Sequence, residues 1–435
     1  MAQKIPFHFL IYSFYLIGSH TIAQTLEKVS PETVGISSER VDLLTRVLED
    51  YVDQKKISGA VTLIARDGKI AYLEAIGMRD VEKGLPMEEN TIFRIASQTK
   101  ALISVGIMML QEEGKLVLSD TLAKYIPEFN ESTVAEATYY GYDVVPAERK
   151  ITLRDLLTHT AGIDYGYGTA EDEWEAADIQ GWYFAHRDEP VLETIKRMAS
   201  LPNQAHPGED YVYGYNTDIL GAVIEIVTGQ TLAAFLTERI FLPLEMQDTY
   251  FYLPESKSDR LAVVYSSEEG FIVRAPDEGT MESQGDYVKG PRKSYSGGAG
   301  LLSTAKDYTN FIQMLLNKGT FQGQRLLSRK SVEIMTQNHL GDIIFPWSSG
   351  TGFGLGFSTV ENLGARGILG SYGEFGWGGA YHTTYWVDPK ERLTVVYLTQ
   401  LIPARKVDDH QKLRPLIYQA LNDKKNYFST FWLGE

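Results

Sequence analysis

The sequence predicts a mixed α/β (α+β) protein: an antiparallel sheet drawn from both ends of the chain and flanked by helices, with a mainly helical lobe inserted between. Two hairpin patterns and the stretch between them carry this reading. Apolar runs at 61–65 and 70–75 flank Arg66-Asp67-Gly68-Lys69, and runs at 383–387 and 393–399 bracket Asp388-Pro389-Lys390-Glu391-Arg392. Asp-Gly between apolar runs is a strong hairpin signal, because a tight two-residue turn needs positive φ at both positions. The intervening chain has the spacing of helices, so strands far apart in sequence must share one sheet.

Taken in order, the first two dozen residues stand apart. Lys4 precedes an apolar stretch over 5–18, followed by Ser19-His20-Thr21-Ile22-Ala23-Gln24, the layout of a signal peptide cleaved after Ala23. An uncleaved anchor is the rival reading, but the stretch is short for spanning a bilayer. The mature chain, 24–435, is expected to be exported, with no stable membrane insertion. Val41, Leu43, Leu44, Val47, Leu48 and Val52 recur at helical spacing behind Ser37-Ser38-Glu39, which predicts an amphipathic helix over about 38–56. The segment 97–113 is apolar almost all round and stops at Gly114, as a helix buried inside the protein would. Helices are also expected at 152–158, 217–228 and 410–422. Loops rich in Gly, Tyr and Asp lie between, including Asp164-Tyr165-Gly166-Tyr167-Gly168. The sheet lobe is placed at about 30–95 and 295–435 and the helical lobe at about 96–294, with no internal repeat.

Composition narrows the function. With 435 residues, 43% hydrophobic and 23% charged, the chain can bury a sizeable core. A formal charge of −16 and no run of Lys or Arg argue against nucleic acid or an anionic membrane as partner. The absence of cysteine excludes disulfides, thiolate metal sites and a cysteine nucleophile. No signal for an oligomeric state is present.

A serine nucleophile needs a base, either His within a triad or a Lys held neutral by its surroundings. No Gly-x-Ser-x-Gly elbow occurs, but Ser-x-x-Lys occurs twice: Ser97-Gln98-Thr99-Lys100 and Ser303-Thr304-Ala305-Lys306. Ser97 opens the apolar helix, where free N–H groups and the helix dipole favour developing negative charge. The i, i+3 spacing puts Lys100 on the same face, and an ammonium in so apolar a helix is expected to be pushed toward the neutral form. Ser303 opens a more polar segment and reads as a helix cap beside a solvated Lys306. His159, His206 and His382 form no metal-ligand pairing and read as structural or pocket-lining, with His382 nearest the chemistry. The glycine run at 350–356 lacks a phosphate-loop ending and alternates like a strand.

From about Gly59 to about Thr399 the chain resembles the penicillin-recognising serine enzymes, which include class C β-lactamases, D-alanyl-D-alanine carboxypeptidases and related esterases. Phe93-Arg94-Ile95-Ala96-Ser97-Gln98-Thr99-Lys100 looks like the family's first motif, and 151–162, Ile-Thr-Leu-Arg-Asp-Leu-Leu-Thr-His-Thr-Ala-Gly, looks like its central helix. The second motif resembles Pro207-Gly208 followed by Tyr211-Val212-Tyr213-Gly214-Tyr215-Asn216. Counting eight residues back from Gly221, as in the esterase members, selects Tyr213 as the catalytic phenol, with Tyr211 and Tyr215 as neighbouring alternatives. Trp377-Gly378-Gly379-Ala380 stands where lactamases carry Lys-Thr-Gly, a form similar to the esterase branch.

The resemblance implies a β-lactamase/transpeptidase-like fold and a Ser97 acyl-enzyme with Lys100 and Tyr213 as base. It also implies an oxyanion hole from the N–H groups of Ser97 and Ala380, with Trp377, Gly378, Gly379, Tyr215, Asn216 and His382 in the substrate site. Two glycines would let a substrate approach the strand closely. The implied partner is a small-molecule ester, or an amide, and neither metal nor organic cofactor is required.

Overall fold

The computed structural model describes residues 26–267 and 269–422. The signal peptide expected over 1–23 lies outside these described residues.

Helix α1 (Ser38–Asp53) is capped by Ser37, whose hydroxyl accepts from the Arg40 N–H. It leads into β1 (Gly59–Arg66) and β2 (Lys69–Asp80), joined at Asp67 and Gly68 with φ of 54° and 76°, as the Asp-Gly signal requires. A short β3 (Leu85–Pro86) follows. The distal strands are β4 (Thr351–Phe353), β5 (Ser358–Val360), β6 (Phe375–Gly379), β7 (Thr383–Asp388) and β8 (Leu393–Leu398). They form one eight-stranded sheet in the order β4-β5-β6-β7-β8-β1-β2-β3, with every neighbouring pair antiparallel. The seam between the two chain ends is the β1–β8 pairing, in which Val61 faces Leu398 and Leu63 faces Val396.

The whole of β1 is buried because the sheet is covered on both faces. Alternation divides its side chains: Val61, Leu63 and Ala65 join the large core, while Ala60 and Ile64 join a second core beneath α1 and the last helix, α6 (Asp409–Tyr418). The large core is centred on α2 (Thr99–Glu112), whose residues from Thr99 through Leu110 are all buried. Packed around it are α3 (Leu153–Leu157), α4 (Asn216–Thr228) and α5 (Ala305–Leu316).

Three expectations are corrected. The region between the hairpins also holds an antiparallel pair, Thr133–Thr138 with Gly141–Pro146, whose largely exposed second strand has no apolar alternation to betray it. The final helix spans Asp409–Tyr418 rather than 410–422. Thr304, not Ser303, caps α5, accepting from the Asp307 N–H. Ser303 pairs with Phe93 in a two-residue strand and is fully buried, its hydroxyl 2.8 Å from that of Thr249, while Lys306 is exposed.

Candidate active site

Ser97 lies in a 3₁₀ turn (Ala96–Gln98) that runs directly into α2. The strand before it is pinned by Arg94, whose buried guanidinium donates to the carbonyls of Gln284 and Ala262 and to Gln400 Oε1. Gln400 in turn binds both the N–H and the carbonyl of Arg94. Between this anchor and Ser97, Ala96 holds a φ of 40°, a conformation that costs an alanine on the order of 1 kcal/mol and persists only where the surroundings fix it.

Lys100, 1% exposed, sits one turn on. Its Nζ donates to Ser97 Oγ (3.4 Å), Tyr165 OH (2.9 Å) and the Gly298 carbonyl (2.7 Å). Those three partners match the three protons of an ammonium; after loss of one proton, the lone pair can turn to the Ser97 hydroxyl while the other contacts hold the nitrogen in place. Gly298 is fixed by Asp218, which accepts from the Gly298 N–H and from Ser296 Oγ. Burial pushes the Asp218 carboxyl up, against the opposing charge of Lys100. Burial, together with neighbouring phenols and Asp218, also pushes the Tyr165 phenol well up, which keeps it protonated and suited to hydrogen bonding rather than to charge.

Tyr213 meets Lys100 differently. Its ring centroid lies 4.7 Å from Nζ, within cation–π range, and its oxygen accepts from the Trp377 indole N–H at 3.1 Å. Trp347, Trp377 and His159 surround the ring. His159 is fully buried; burial and the charge of Lys100 hold it well below its usual range, so it backs the phenol as a neutral ring.

Among the described residues, neither the Ser97 N–H nor the Ala380 N–H has a protein acceptor. The two are brought together by the end of β6. A Cβ on Gly379 would stand 2.3 Å from the Ile95 carbonyl and 2.4 Å from Thr383 Oγ1, so Gly379 is there because the chain's own backbone passes against it. This corrects the expectation that both glycines make room for substrate. Gly378 is different: a Cβ there would meet only the Thr383 carbonyl, at 3.0 Å.

A cavity of about 560 Å³ opens over these groups. Ser97, Ala380, Trp377, Gly378, Gly379 and His382 line it, as do Tyr165, Tyr213, Trp182 and Trp347. Tyr215 and Asn216, expected in the substrate site, are instead part of the core. Tyr215 is 1% exposed, donates to the Gly181 carbonyl and stacks on Trp174. The Asn216 amide donates to His159 Nδ1 and to the Ile163 and Val212 carbonyls, tying two loops together at the start of α4. His206 lies apart from the cavity, paired with Glu136.

At the far rim, His382 occupies the left-handed region (φ 62°) that closes the β6–β7 hairpin, and its Nε2 donates to Asp409 Oδ1 at 2.6 Å. Tyr397 OH donates to the other carboxylate oxygen, and the His410 ring stacks on His382 at 3.8 Å. Burial alone would push the Asp409 carboxyl up; His382, His410 and Tyr397 outweigh it and hold it down to about 2. Two atoms bound to one zinc at about 2 Å stand roughly 3.3 Å apart in a tetrahedral site, so the 2.6 Å contact is a hydrogen-bonded pair rather than two ligands of one ion.

Comparison with known proteins gives the family and the fold. The Beta-lactamase family model matches residues 44–417. The chain belongs to the Beta-lactamase family. An uncharacterised protein of Mycobacterium tuberculosis is 34% identical over 372 residues, covering 83% of this chain and 90% of the relative. Esterase EstB of Burkholderia gladioli is 30% identical over 370 residues, covering 82% and 89%. Among solved structures, EstCE1, described as a hydrolase with promiscuous acyltransferase activity, superposes with a TM-score of 0.75 at 26% identity, covering 89% of this chain and 99% of that one. The chain is thus a serine hydrolase with the β-lactamase/transpeptidase-like fold.

Two parts of this family member's site escaped sequence reasoning. The Tyr165 loop stands out in the sequence only for its Gly, Tyr and Asp content, and no motif there marks Asp218 or Gly298. The available signal was an Asp in the first turn of a helix whose next turns, Ile219 to Ile224, are apolar.

Proposed function

We propose that this chain hydrolyses small carboxylic esters through an acyl-enzyme on Ser97. Lys100 takes the Ser97 proton, with Tyr213 completing the base. The Ser97 oxygen adds to the carbonyl carbon, the N–H groups of Ser97 and Ala380 receive the oxyanion, and the alcohol leaves with a proton; water then releases the acid by the reverse sequence. The observation that carries the ester reading is Trp377: an aromatic side chain hydrogen-bonded to Tyr213 stands where a cation would favour an anionic β-lactam. The esterase relatives support the same preference.

Steady-state rates on a chromogenic short-chain ester and a chromogenic cephalosporin test it. Faster turnover of the ester is expected. Faster turnover of the cephalosporin would favour the second reading, a β-lactamase or D-alanyl-D-alanine carboxypeptidase, for which a putative carboxypeptidase of Escherichia coli at 28% identity offers support. A fluorophosphonate probe that leaves Ser97 unlabelled in folded protein would favour a third, a non-catalytic binder of cell-wall fragments. Export rests on the leader pattern of residues 1–23, and is tested by N-terminal sequencing of protein recovered outside the cytoplasm.

A further inference from the structure

Beside the catalytic cavity lies a second one, of about 280 Å³, between β5, β6, β7 and α6. The two share Trp377, Gly378, Thr384 and His410 as walls. Gly378 has no side chain to divide them, and the one atom near the position of a Cβ is the Thr383 carbonyl oxygen, at 3.0 Å.

Two guanidiniums and one carboxylate form the charged wall of the second cavity; a second carboxylate, Asp388, lies behind it and accepts from Tyr418 OH at 2.8 Å. Arg366 and Arg414 both line it and both reach one carboxylate, Glu374, which is 1% exposed. Arg414 holds both oxygens of Glu374, at 2.7 and 2.9 Å, and stacks over Trp386 at 4.4 Å. Tyr418 OH stands between this carboxylate (3.0 Å) and that of Asp388 (2.8 Å), with one proton for the two. Arg366 is left with a single contact, from Nη1 to Glu374 Oε1 at 3.1 Å. Among the described residues its Nε and Nη2 find no acceptor, although its side chain is only 13% exposed. Neither nitrogen is among the buried side-chain atoms that lack a partner, so both open to the cavity rather than being sealed in protein, and they stay available to an acceptor brought in from outside. Burial and the charge of Arg414 push Arg366 down from its usual range, as an excess of positive charge would. His410, held down to about 4 by burial and by His382, adds no charge near neutral pH.

Resting on the ester-hydrolase reading, we propose that this cavity is a subsite for a carboxylate carried on the substrate, received by the free edge of the Arg366 guanidinium after the substrate arm passes Trp377 across Gly378. The preferred substrates are then esters with an uncharged scissile end and a remote carboxylate, such as monoesters of dicarboxylic acids. The planar fork of Arg366 suits a carboxylate, and Glu374, already held through both oxygens by Arg414, leaves the outer donors of Arg366 without a protein acceptor.

Two measurements test the subsite. In the first, kcat/KM is compared for a homologous series of p-nitrophenyl esters ending in carboxylate or in methyl. The preference for the carboxylate ester is expected to fall by about tenfold or more in Arg366→Met and by less in Arg366→Lys, with the fold checked by circular dichroism. An unchanged preference in folded Arg366→Met overturns the proposal. In the second, calorimetry follows glutarate and inorganic phosphate binding to Ser97→Ala protein. Glutarate binding that is lost in Ser97→Ala/Arg366→Met supports it; equal binding to both, no binding to either, or tighter binding of phosphate than of glutarate overturns it. Because this second measurement needs no turnover, Arg366-dependent glutarate binding together with an unreactive Ser97 would sink the hydrolase reading while leaving the subsite standing.

Discussion

Ser97-Gln98-Thr99-Lys100 and Ser303-Thr304-Ala305-Lys306 share a tetrapeptide pattern and nothing of its surroundings. Both serines are close to a helix start, and their strands are even paired, Phe93 opposite Ser303. The first helix is buried through twelve successive residues, so its lysine has nowhere to go but along the helix toward its own serine, Tyr165 and Gly298. The second helix exposes its lysine to water and turns its serine inward against Thr249. The difference teaches that the pattern becomes chemistry only when the lysine is kept from solvent and the serine is left facing a cavity.

Substitutions at both tetrapeptides are the sharpest way to break this contrast. Ser97→Ala is expected to lower kcat for ester hydrolysis by at least about a thousandfold, whereas Ser303→Ala leaves kcat within about twofold. Lys100→Met should approach the Ser97 loss, seen as a missing burst of p-nitrophenol, while Lys306→Met shifts unfolding by no more than about 0.5 kcal/mol. If Lys306→Met matched Lys100→Met, burial would not be what separates the two.

The two phenols around Lys100 refine the comparison. Tyr213→Phe removes a proposed proton carrier and should cost about a hundredfold in kcat. Tyr165→Phe removes one hydrogen bond to the amine and should cost about tenfold in kcat. The reverse order would make Tyr165 the working phenol.

On the Ser303 side the expected effects are on stability. Asp307, in the network of Thr249 and Ser303, is pushed up to about 6 by burial, with hydrogen bonds from Asp248 and Thr249 opposing. Its folded value lies above the unfolded one, so the native state holds the extra proton. The contribution is complete below about pH 4 and is lost as pH rises through about 6. Relative to Asp307→Asn, the wild-type protein should lose about 2 kcal/mol of unfolding free energy between those limits, measured by urea titration. Ser303→Ala should cost about 1 kcal/mol at any of these pH values.

What the sequence made legible follows from distance along the chain. Ser97 and Lys100 lie one helical turn apart, so local spacing alone set them on one face. The hairpins announced themselves through apolar runs on either side of polar turns, with Asp-Gly in the first, and their pairing into one sheet followed from the helical stretch between them. Tyr165 and Gly298 approach Lys100 from 65 and 198 residues away, through loops whose course no periodicity reports. Tyr215 and Asn216 were placed in the substrate site because they neighbour Tyr213 in sequence. Entry into α4 turns them the other way, toward Trp174 and His159, and a one-residue step around a loop is invisible without the fold. The Arg366–Glu374–Arg414 group draws on a short helix, a strand edge and α6, and no motif joins them.

The abutment of Gly379 on Ile95 has a mechanical side. It clamps the two halves of the proposed anion receptor main chain to main chain, with no side chain as spacer, so their separation is indifferent to what lines the mouth above. Loops carrying Trp182 or Trp347 could be exchanged to accept other molecules while the hinge of the chemistry keeps its gauge.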